Sequence, residues 1–500
     1  MVSDKGLRVS GSRFQVSGKQ GSYNLCRPYT LCLTCYTLCL YSFQISNFKS
    51  QMNHFFAGAA KTDITPPLGT IINGEFVAFY AHTIHDPLYS KALVLQNAGT
   101  TLAIVIVDIC AMDKEFIVEV KKEITVLTGI PAEHILIAAT HTHYAGSILD
   151  LLGGPCDLPY RKSLGKKIVQ SVAEAVQRLR PARIGFASVA VPEHVVCRRY
   201  YMKPGYKAVN PVTGGLDIIK TNPAGGEAYI DKRASTVDPE LSAVAIQSID
   251  GEWISLLANY SMHYVGDCAN GTITADYFAV FARHITANLK AGENFIAMLS
   301  NGTSGEANIW DFLQPDRYPK EEHQKKEIIG SDLAWKLYEA LKNIEWQTDP
   351  SLSASFKYIT LGVRKPSDAE VEAAKKIVSQ TDYRLISPDA EAMVKIYARE
   401  QVFLNEYPDT IEFPVQVLKI GDMTIGALGG EFFAETGLAL KKKINTDKYF
   451  TITMANGYIG YIPPAHEIEK GGYETWRCRT SHIKEDGEGI VRNALSEMAG

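Results

Sequence analysis

Two histidines that could share one chemical task lie close together in the chain, at His141 and His143. They follow the run His134-Ile-Leu-Ile137, whose apolar residues predict a buried strand. Because side chains alternate between the faces of a strand, the two imidazoles point the same way if the strand continues through them. Two imidazoles at the carboxyl end of a strand are typical of one half of a metal site or an acid/base site. On this spacing alone, two exposed loop histidines are an equal alternative.

Four other polar side chains occupy the same kind of position, just past the end of a predicted apolar strand: His263, Glu306, Glu431 and Tyr461. In sheets of the α/β type, ligands bind in the loops beyond the carboxyl ends of the strands. Loops are polar in any case, so two or three such positions would carry little weight. Five strand ends that deliver this set of histidine, glutamate and tyrosine side chains indicate a single site.

The side-chain types in this set fit zinc. Imidazole nitrogen and carboxylate oxygen are ordinary zinc ligands, and a catalytic zinc site keeps one position open for water or substrate. Glu431 follows two glycines and begins a predicted helix, so the positive end of the helix dipole favours its ionised form. We therefore expect Zn²⁺ as the cofactor.

The elements that must hold these side chains alternate between strand and helix from about residue 57 onward. Apolar spacing predicts helices at 113–128, 160–179, 277–289, 321–344, 367–379, 388–403 and 432–444. The alternation predicts the α/β class, with one large domain over residues 57–500 built on a mixed β-sheet flanked by helices. Residues 203–237, rich in glycine, proline and asparagine, predict a long loop of the kind that is usually functional or mobile.

Composition limits the classes of partner. Hydrophobic residues make up 46% and charged residues 21% of the 500-residue chain, as is typical of a globular protein. A net charge of −4 gives no reason to expect nucleic acid as a partner. No apolar run approaches the roughly 18 to 20 residues of a membrane span, so we expect no transmembrane segment. The oligomeric state stays open.

The first 51 residues differ from the rest of the chain. They contain four of the nine cysteines and a repetitive tract over 29–40, without the spacing that would complete a zinc knuckle. A cleaved transit peptide is one interpretation. We favour a disordered or spurious N-terminal extension, with Met52 as the true start. The other five cysteines are scattered, which suggests free thiols and a reducing compartment, and no signal peptide follows Met1 or Met52, so we expect a cytoplasmic protein.

Taken together, these motifs resemble the neutral/alkaline (non-lysosomal) ceramidases, specifically their N-terminal catalytic domain. The resemblance covers about residues 57–480 in the right order. The matching stretches are Gly58-Ala-Ala-Lys-Thr-Asp-Ile-Thr, Val107-Asp108, Ala139-Thr-His-Thr-His, Val196-Cys-Arg-Arg, Asp238-Pro-Glu, Asn259 to His263, Ala275-Asp-Tyr, Ser300-Asn-Gly, Gly430-Glu431, Asn456-Gly-Tyr-Ile-Gly-Tyr461 and Tyr473-Glu474. The His-Thr-His motif and the spacing from Tyr461 to Tyr473-Glu474 are its most specific parts.

The resemblance implies a role for each matching residue. It makes four residues the zinc ligands: His141, His263, Glu431 and Tyr461. It makes His143 an acid/base group or a partner of the oxyanion. It assigns Arg198, in preference to Arg199, and Tyr473 to polarising the substrate. Without the resemblance, Tyr461 would be interpreted as an aromatic core residue, since tyrosine is an unusual zinc ligand.

One stretch departs from the family pattern. The ceramidases carry a serine in an Asn-x-Gly-Asp-Val-Ser-Pro-Asn stretch beside the zinc, whereas this chain has Asn301-Gly-Thr-Ser-Gly-Glu-Ala-Asn308. Aligned on the outer asparagines, Glu306 takes the position of the serine, and Ser304 lies two residues away. A carboxylate beside metal-activated water acts as a general base in other zinc hydrolases, so we expect Glu306 to be the catalytic group. The alternative is that Glu306 forms an ion pair and only shapes the loop.

Two functions follow as hypotheses. The first is a zinc-dependent amidohydrolase that uses metal-activated water to cleave an amide bond in a small-molecule or lipid-like N-acyl substrate, which the resemblance suggests is ceramide-like. That would place the protein in sphingolipid metabolism. The resemblance also gives a secreted or membrane-associated protein as the alternative to a cytoplasmic one. The second is a catalytically silent ceramidase-like protein that binds a ligand through the same zinc pocket. Retention of every expected zinc ligand favours the first, and the missing serine favours the second.

Overall fold

The computed structural model describes residues 55–387, 389–444 and 446–500. The prediction for residues 1–51 lies outside this described part of the chain. The described residues belong to one compact unit.

Twenty-four strands and nine α-helices occur in the described residues, and their bounds are as follows. The strands are β1 (Phe56–Asp63), β2 (Ile71–Ile72), β3 (Phe79–Tyr80), β4 (Thr83–Ile84), β5 (Tyr89–Asn97), β6 (Thr100–Val107), β7 (Ile135–Ala139), β8 (Arg180–Ala190), β9 (Val196–Cys197), β10 (Arg199–Met202), β11 (Ile219–Thr221), β12 (Ile230–Arg233), β13 (Glu240–Ser248), β14 (Trp253–Tyr260), β15 (Thr272–Ile273), β16 (Ile296–Asn301), β17 (Ala307–Asn308), β18 (Trp346–Gln347), β19 (Leu352–Gly362), β20 (Thr410–Ile420), β21 (Met423–Leu428), β22 (Glu431–Phe432), β23 (Tyr449–Ile452) and β24 (Tyr461–Ile462). The helices are α1 (Lys114–Thr128), α2 (Leu158–Gln177), α3 (Asp276–Asn288), α4 (Gln324–Leu341), α5 (Asp368–Ser379), α6 (Ala390–Asn405), α7 (Ala434–Lys443), α8 (Ala465–Lys470) and α9 (Gly487–Ala499).

The helices α1 and α2 show how local sequence sets the helix ends. Asp113 accepts a hydrogen bond from the amide of Phe116 at 2.7 Å, and Asp157 accepts one from the amide of Tyr160 at 2.9 Å. Such N-caps stabilise a helix by about 1 kcal/mol. α1 ends at Gly129, whose φ of 76° suits glycine. The seven predicted helices are confirmed within a few residues at each end, whereas the prediction did not include α8 and α9.

The largest sheet has nine strands in the order β16-β14-β13-β8-β1-β5-β6-β7, with β18 also paired to β8. The pairs β14–β16 and β6–β7 are parallel and the others are antiparallel. This confirms the predicted mixed sheet. Successive residues of β6 face opposite cores: Ile104 and Ile106 face one, and Val105 and Val107 the other. Because both faces are buried, the strand is apolar throughout instead of alternating with polar residues.

A second sheet, in the order β19-β20-β21-β23, packs against one face of the first. Its residues Leu418 and Phe450 share a core with Leu257 and Met298 of the large sheet. The other face of the large sheet is covered by α1 and α2 in one half and by α3 and α4 in the other. α7 and α9 cover the outer face of the second sheet. The layers therefore run helix, sheet, sheet, helix, and the sequence did not predict two sheets face to face.

Backbone hydrogen bonds join the two sheets where several strands end. The amide of Ala139 donates to the carbonyl of Met454 at 3.1 Å, and the amide of Asn456 donates to Ile137 at 2.8 Å. Close by, the amide of Thr453 donates to the carbonyl of Asn301 at 2.9 Å. The ends of β7, β16 and β23 therefore lie next to one another, and the loops that follow them share one space.

Three smaller observations bear on the sequence predictions. The predicted loop over 203–237 contains part of a small sheet, β11-β10-β12, so this prediction was only partly right. No disulfide forms among the five cysteines of the described residues, which are Cys110, Cys156, Cys197, Cys268 and Cys478. Within the described ranges, no helix combines the length and the apolar character that a membrane span requires.

Candidate functional site

The two histidines that follow β7 meet although the strand does not continue through them. β7 ends at Ala139, and His141 adopts a left-handed backbone conformation with φ of 70°. For a residue other than glycine this conformation costs about 1 to 3 kcal/mol, and such strain clusters at functional sites. Nε2 of His143 lies 3.3 Å from Nε2 of His141. A strained turn, and not strand alternation, thus brings the two imidazoles together.

Glu431 and Tyr461 are fixed side by side by the backbone. They begin β22 and β24, which pair in parallel with these two residues as register partners. The amide of Glu431 donates to the carbonyl of Gly460 at 2.8 Å. A Cβ atom at Gly430 would lie only 2.8 Å from that carbonyl oxygen, so the close approach of the two chains requires a glycine before Glu431.

The four predicted ligands, hereafter the ligand cluster, converge on one point: His141, His263, Glu431 and Tyr461. Oε2 of Glu431 lies 3.0 Å from Nε2 of His263 and 3.4 Å from Nε2 of His141. The ligand atoms of these three residues all lie within 4.8 Å of one another, and all three residues are buried. The phenol oxygen of Tyr461 lies 3.5 Å from Nε2 of His263.

Both histidines of the ligand cluster are oriented by their other ring nitrogen. Nδ1 of His141 donates to the carbonyl of Cys110 at 2.8 Å, and Nδ1 of His263 donates to the carbonyl of Ser304 at 2.6 Å. A carbonyl can only accept, so Nδ1 carries the proton and the lone pair of a neutral ring lies on Nε2, which faces the cluster. Metal-ligating histidines are held in this way. Two imidazole nitrogens, a carboxylate and a phenol oxygen therefore fit a zinc ion.

The charges within the ligand cluster compensate one another. Burial raises the pKa of the Glu431 carboxyl, but the imidazoles of His141 and His263 outweigh burial and hold that pKa well below its usual range. Burial and then the positive charge of Arg198 lower the pKa of His263 to about 4, so its ring is neutral. Burial lowers the pKa of His141, but the Glu431 carboxylate outweighs it and raises the pKa well above the usual value. A metal ion and a proton would therefore compete for Nε2 of His141.

The Arg198 guanidinium lies behind Tyr461 and is buried. Nη2 donates to the phenol oxygen of Tyr461 at 3.0 Å and to the carbonyl of Gly305 at 2.7 Å, and Nε donates to Glu474 at 2.8 Å. Arg199 instead donates to Glu474 from the other side, at 2.9 Å. Of the two arginines considered from the sequence, Arg198 is the one that contacts the ligand cluster.

Tyr473 lies at the edge of the same group. Its ring meets that of Tyr461 edge to face, with the ring centroids 5.5 Å apart, and the guanidinium carbon of Arg198 lies 6.0 Å from its centroid. Tyr473 is half-buried, and burial raises the pKa of its phenol well above the usual value, so the hydroxyl keeps its proton. It can therefore donate a hydrogen bond.

Glu306 is the exception among the predicted site residues. Its carboxylate accepts hydrogen bonds from the amide of Ala434, at 2.9 and 3.1 Å, and from the hydroxyl of Ser235, at 3.4 Å. Ala434 begins α7, so Glu306 caps a helix, and its carboxylate is not among the ligand atoms that converge with His141. Burial raises its pKa to about 8, so it is protonated at neutral pH. The geometry does not support a general base at this position and agrees better with the loop-shaping alternative, although the partner is a helix end and not an arginine.

Two tyrosines of the site were not singled out from the sequence. The hydroxyl of Tyr458 donates to Oε1 of Glu431 at 2.7 Å. The ring of Tyr264 stacks on His143 with centroids 3.9 Å apart and an angle of 22° between the planes. Tyr458 lies within the quoted stretch Asn456–Tyr461 and Tyr264 directly follows His263, so proximity to those motifs was the available signal.

Comparisons with known proteins add evidence about the fold. No protein-family model matches the sequence, and no curated protein matches it. Among solved structures, the chain is similar to neutral ceramidase from Pseudomonas aeruginosa, with a TM-score of 0.67 and 17% identity over 89% of this chain and 74% of that chain. It is also similar to a ceramidase complexed with C2, with a TM-score of 0.66 and 17% identity over 89% of this chain and 74% of that chain. At this identity the likeness shows the fold alone. The chain therefore has the fold of the neutral ceramidase structures, which confirms at the level of fold the resemblance that its motifs indicated.

Proposed function

We propose that this protein is a zinc-dependent hydrolase that cleaves an amide bond in an N-acyl, ceramide-like substrate. The observation that carries the proposal is the convergence of His141, His263 and Glu431, whose ligand atoms lie within 4.8 Å of one another. The likeness to ceramidase structures supports the hydrolase class and makes ceramide the first substrate to test. A ceramide substrate would place the reaction in sphingolipid metabolism.

In this proposal the ligand cluster holds the metal, with Tyr461 as the fourth ligand. A bound zinc ion would supply a Lewis acid for the substrate carbonyl and lower the pKa of water to about 7. The hydrogen bonds from Nδ1 of His141 and His263 to backbone carbonyls keep both Nε2 atoms directed at the ion.

Arg198 and Tyr473 would bind the substrate carbonyl. Nε and Nη2 of Arg198 are occupied by Glu474, Gly305 and Tyr461, whereas Nη1 has no hydrogen-bond partner among the described residues. This nitrogen and the Tyr473 hydroxyl are donors for an oxygen that gains negative charge during the reaction. Removing one such donor typically lowers kcat by about 100- to 1,000-fold.

His143 would act on the nitrogen side of the amide or on the oxyanion. Its Nε2 lies 3.3 Å from Nε2 of His141, and its buried Nδ1 has no partner in the described structure. Stacking on Tyr264 fixes the plane of the ring. Burial, and then the imidazole of His141, hold the pKa of His143 well below its usual range, so the ring is neutral and is fixed in place.

The metal assignment is tested by the zinc content of the purified protein. We expect one zinc per chain in the wild type and strong loss in His263→Ala, because chelation is lost as a unit. His284→Ala is the matched control, since His284 lies on α3, pairs with Glu327 and belongs to no cluster of candidate metal ligands among the described residues. Equal zinc in wild type and His263→Ala would refute the ligand set.

The activity is tested on zinc-loaded protein with a panel of ceramides, N-acyl amino acids and simple esters. Cleavage of an N-acyl bond that requires zinc supports the hydrolase. If every compound stays intact while zinc is bound, the catalytically silent binding protein is the better interpretation of the same pocket.

A further inference from the structure

The loop between β2 and β3 covers one side of the site and is firmly held. The side chain of Asn73 donates to the hydroxyl of Ser147 at 3.0 Å and to the carbonyl of Leu149 at 3.1 Å. The carbonyl of Glu75 accepts a hydrogen bond from the amide of Gly153 at 3.1 Å. These bonds fix the backbone on both sides of the Glu75 side chain.

The neighbours of Glu75 in sequence both contact predicted site residues. Gly74 lies against His143: a Cβ atom at Gly74 would stand 2.5 Å from Nδ1 of that ring, and the φ of Gly74 is 107°. The ring of Phe76 meets Tyr473 edge to face, with centroids 5.8 Å apart. The loop that carries Glu75 therefore bridges the space between His143 and Tyr473.

The Glu75 carboxyl is half-buried and has no hydrogen bond or ion pair in the described part of the chain. Among the ionisable groups near it are the phenols of Tyr144 and Tyr264: burial raises the pKa of both, and the negative charge of Glu75 adds to that rise. The Tyr264 ring in turn stacks on the imidazole of His143. Burial without a partner raises the pKa of Glu75 to about 7. A carboxyl with this pKa exchanges protons readily at neutral pH.

The carboxyl groups of Glu75 and Glu306 differ in their hydrogen-bond partners, and this difference matters for proton transfer. The Glu306 carboxyl group accepts hydrogen bonds from the amide that begins α7, whereas neither oxygen of Glu75 has a hydrogen-bond partner within residues 55–387, 389–444 and 446–500. A half-buried carboxyl that has no partner among the described residues costs free energy in the folded protein, so its presence beside a candidate active site points to a function.

We propose that Glu75 is a further catalytic residue, the carboxylate that carries a proton from the attacking water to the leaving amine. This inference rests on the proposed hydrolase function. As the water oxygen bonds to the carbonyl carbon, one water proton passes to Glu75. The electrons of the C–N bond then move to nitrogen, and nitrogen takes that proton from Glu75. The products are a carboxylic acid and an amine, and Glu75 returns to its ionised state.

The test compares zinc-loaded wild type, Glu75→Gln and Glu75→Asp, with N-acetylsphingosine as the probe. Glu119→Gln is the control, because Glu119 is an exposed carboxylate on α1. We expect kcat of Glu75→Gln to fall by about 100- to 10,000-fold, with partial recovery in Glu75→Asp and with zinc content and thermal midpoint unchanged. In the wild type, kcat/KM should rise with pH through about 7 as Glu75 loses its proton, and this rise should be absent in Glu75→Gln.

The possible outcomes separate this inference from the function on which it rests. Turnover of Glu75→Gln like that of Glu119→Gln, in an active wild type, overturns the role of Glu75 and leaves the hydrolase intact. Loss of zinc or of thermal stability in Glu75→Gln also overturns it, because the carboxyl would then serve the fold. A zinc-loaded wild type that cleaves neither this probe nor the wider panel refutes the hydrolase itself, and the role of Glu75 falls with it.

Discussion

Arg198 donates a hydrogen bond from Nη2 to the phenol oxygen of Tyr461 over 3.0 Å, and this bond joins the ligand cluster to a buried ion-pair network. Nε of the same guanidinium donates to Glu474 at 2.8 Å. The second carboxylate oxygen of Glu474 accepts from Arg199 at 2.9 Å and from the hydroxyl of Thr221 at 2.6 Å. Glu474 therefore fixes the plane of the Arg198 guanidinium, and the guanidinium in turn holds the phenol of Tyr461.

Glu474→Gln should weaken zinc binding although Glu474 is not a ligand. The substitution keeps the size of the side chain and leaves two buried guanidinium groups with less compensating charge. We expect zinc affinity to fall by about 10- to 100-fold and stability by about 3 to 5 kcal/mol, measured by chelator competition and urea unfolding. Glu469→Gln, on the exposed side of α8, is the control. Unchanged zinc affinity would show that the network is only structural.

Glu306→Gln should leave turnover close to that of the wild type. A glutamine oxygen can still accept the hydrogen bond from the amide of Ala434, so the start of α7 keeps its cap. Ser304→Ala is the companion variant: the Ser304 hydroxyl donates to Asn301 at 2.8 Å, and the carbonyl that orients His263 is retained. A drop of about 100- to 10,000-fold in Glu306→Gln with zinc still bound would restore Glu306 as the base. Loss of turnover in Ser304→Ala alone would point to a serine nucleophile.

Stability should depend on pH through Glu306. Its pKa is raised to about 8 by burial, whereas an unfolded glutamate titrates near about 4.3. Between these values the folded protein binds the extra proton, so this group stabilises the fold fully below about pH 4 and loses that contribution as pH rises towards about 8. The unfolding free energy of Glu306→Gln, relative to wild type, should therefore rise by a few kcal/mol between about pH 5 and about pH 8. The control Glu485→Gln, an exposed position, should show a flat difference. A flat difference for Glu306→Gln as well would mean that its pKa is not raised.

Gly74→Ala should displace the ring of His143 in addition to straining the backbone at residue 74. Gly74 and Gly69 both have positive φ values, of 107° and 88°, so alanine is strained at either by about 1 to 3 kcal/mol. A Cβ atom at Gly69 meets no atom within 4 Å, whereas at Gly74 it lies 2.5 Å from Nδ1 of His143. We expect Gly69→Ala to lose stability alone and Gly74→Ala to lose turnover as well. Equal turnover in the two variants would show that the loop moves away from His143 at no cost.

Much of the local structure follows from the sequence, because it depends on residues close together in the chain. The Asp113 and Asp157 caps begin their helices through hydrogen bonds to amides three residues ahead. The positions of the predicted site residues after strand ends also follow from apolar runs that are local. The His-Thr-His motif and the Gly430-Glu431 pair therefore indicated a metal site before any contact was known.

The tertiary structure alone decided which of these strand ends share a site and which side chains face it. The hydrogen bond from the amide of Ala139 to the carbonyl of Met454 joins segments more than 300 residues apart, and no local pattern contains that information. The same holds for the loop that carries Glu75: its residues Gly74 and Phe76 lie against His143 and Tyr473, and hydrogen bonds to Ser147 and Gly153 hold the loop there. Glu306 is the opposite case, because its position in the sequence matched that of a catalytic serine. In the fold, its carboxyl group instead accepts hydrogen bonds from the amide that begins α7. A buried carboxyl group needs such a partner, and the start of the helix provides it.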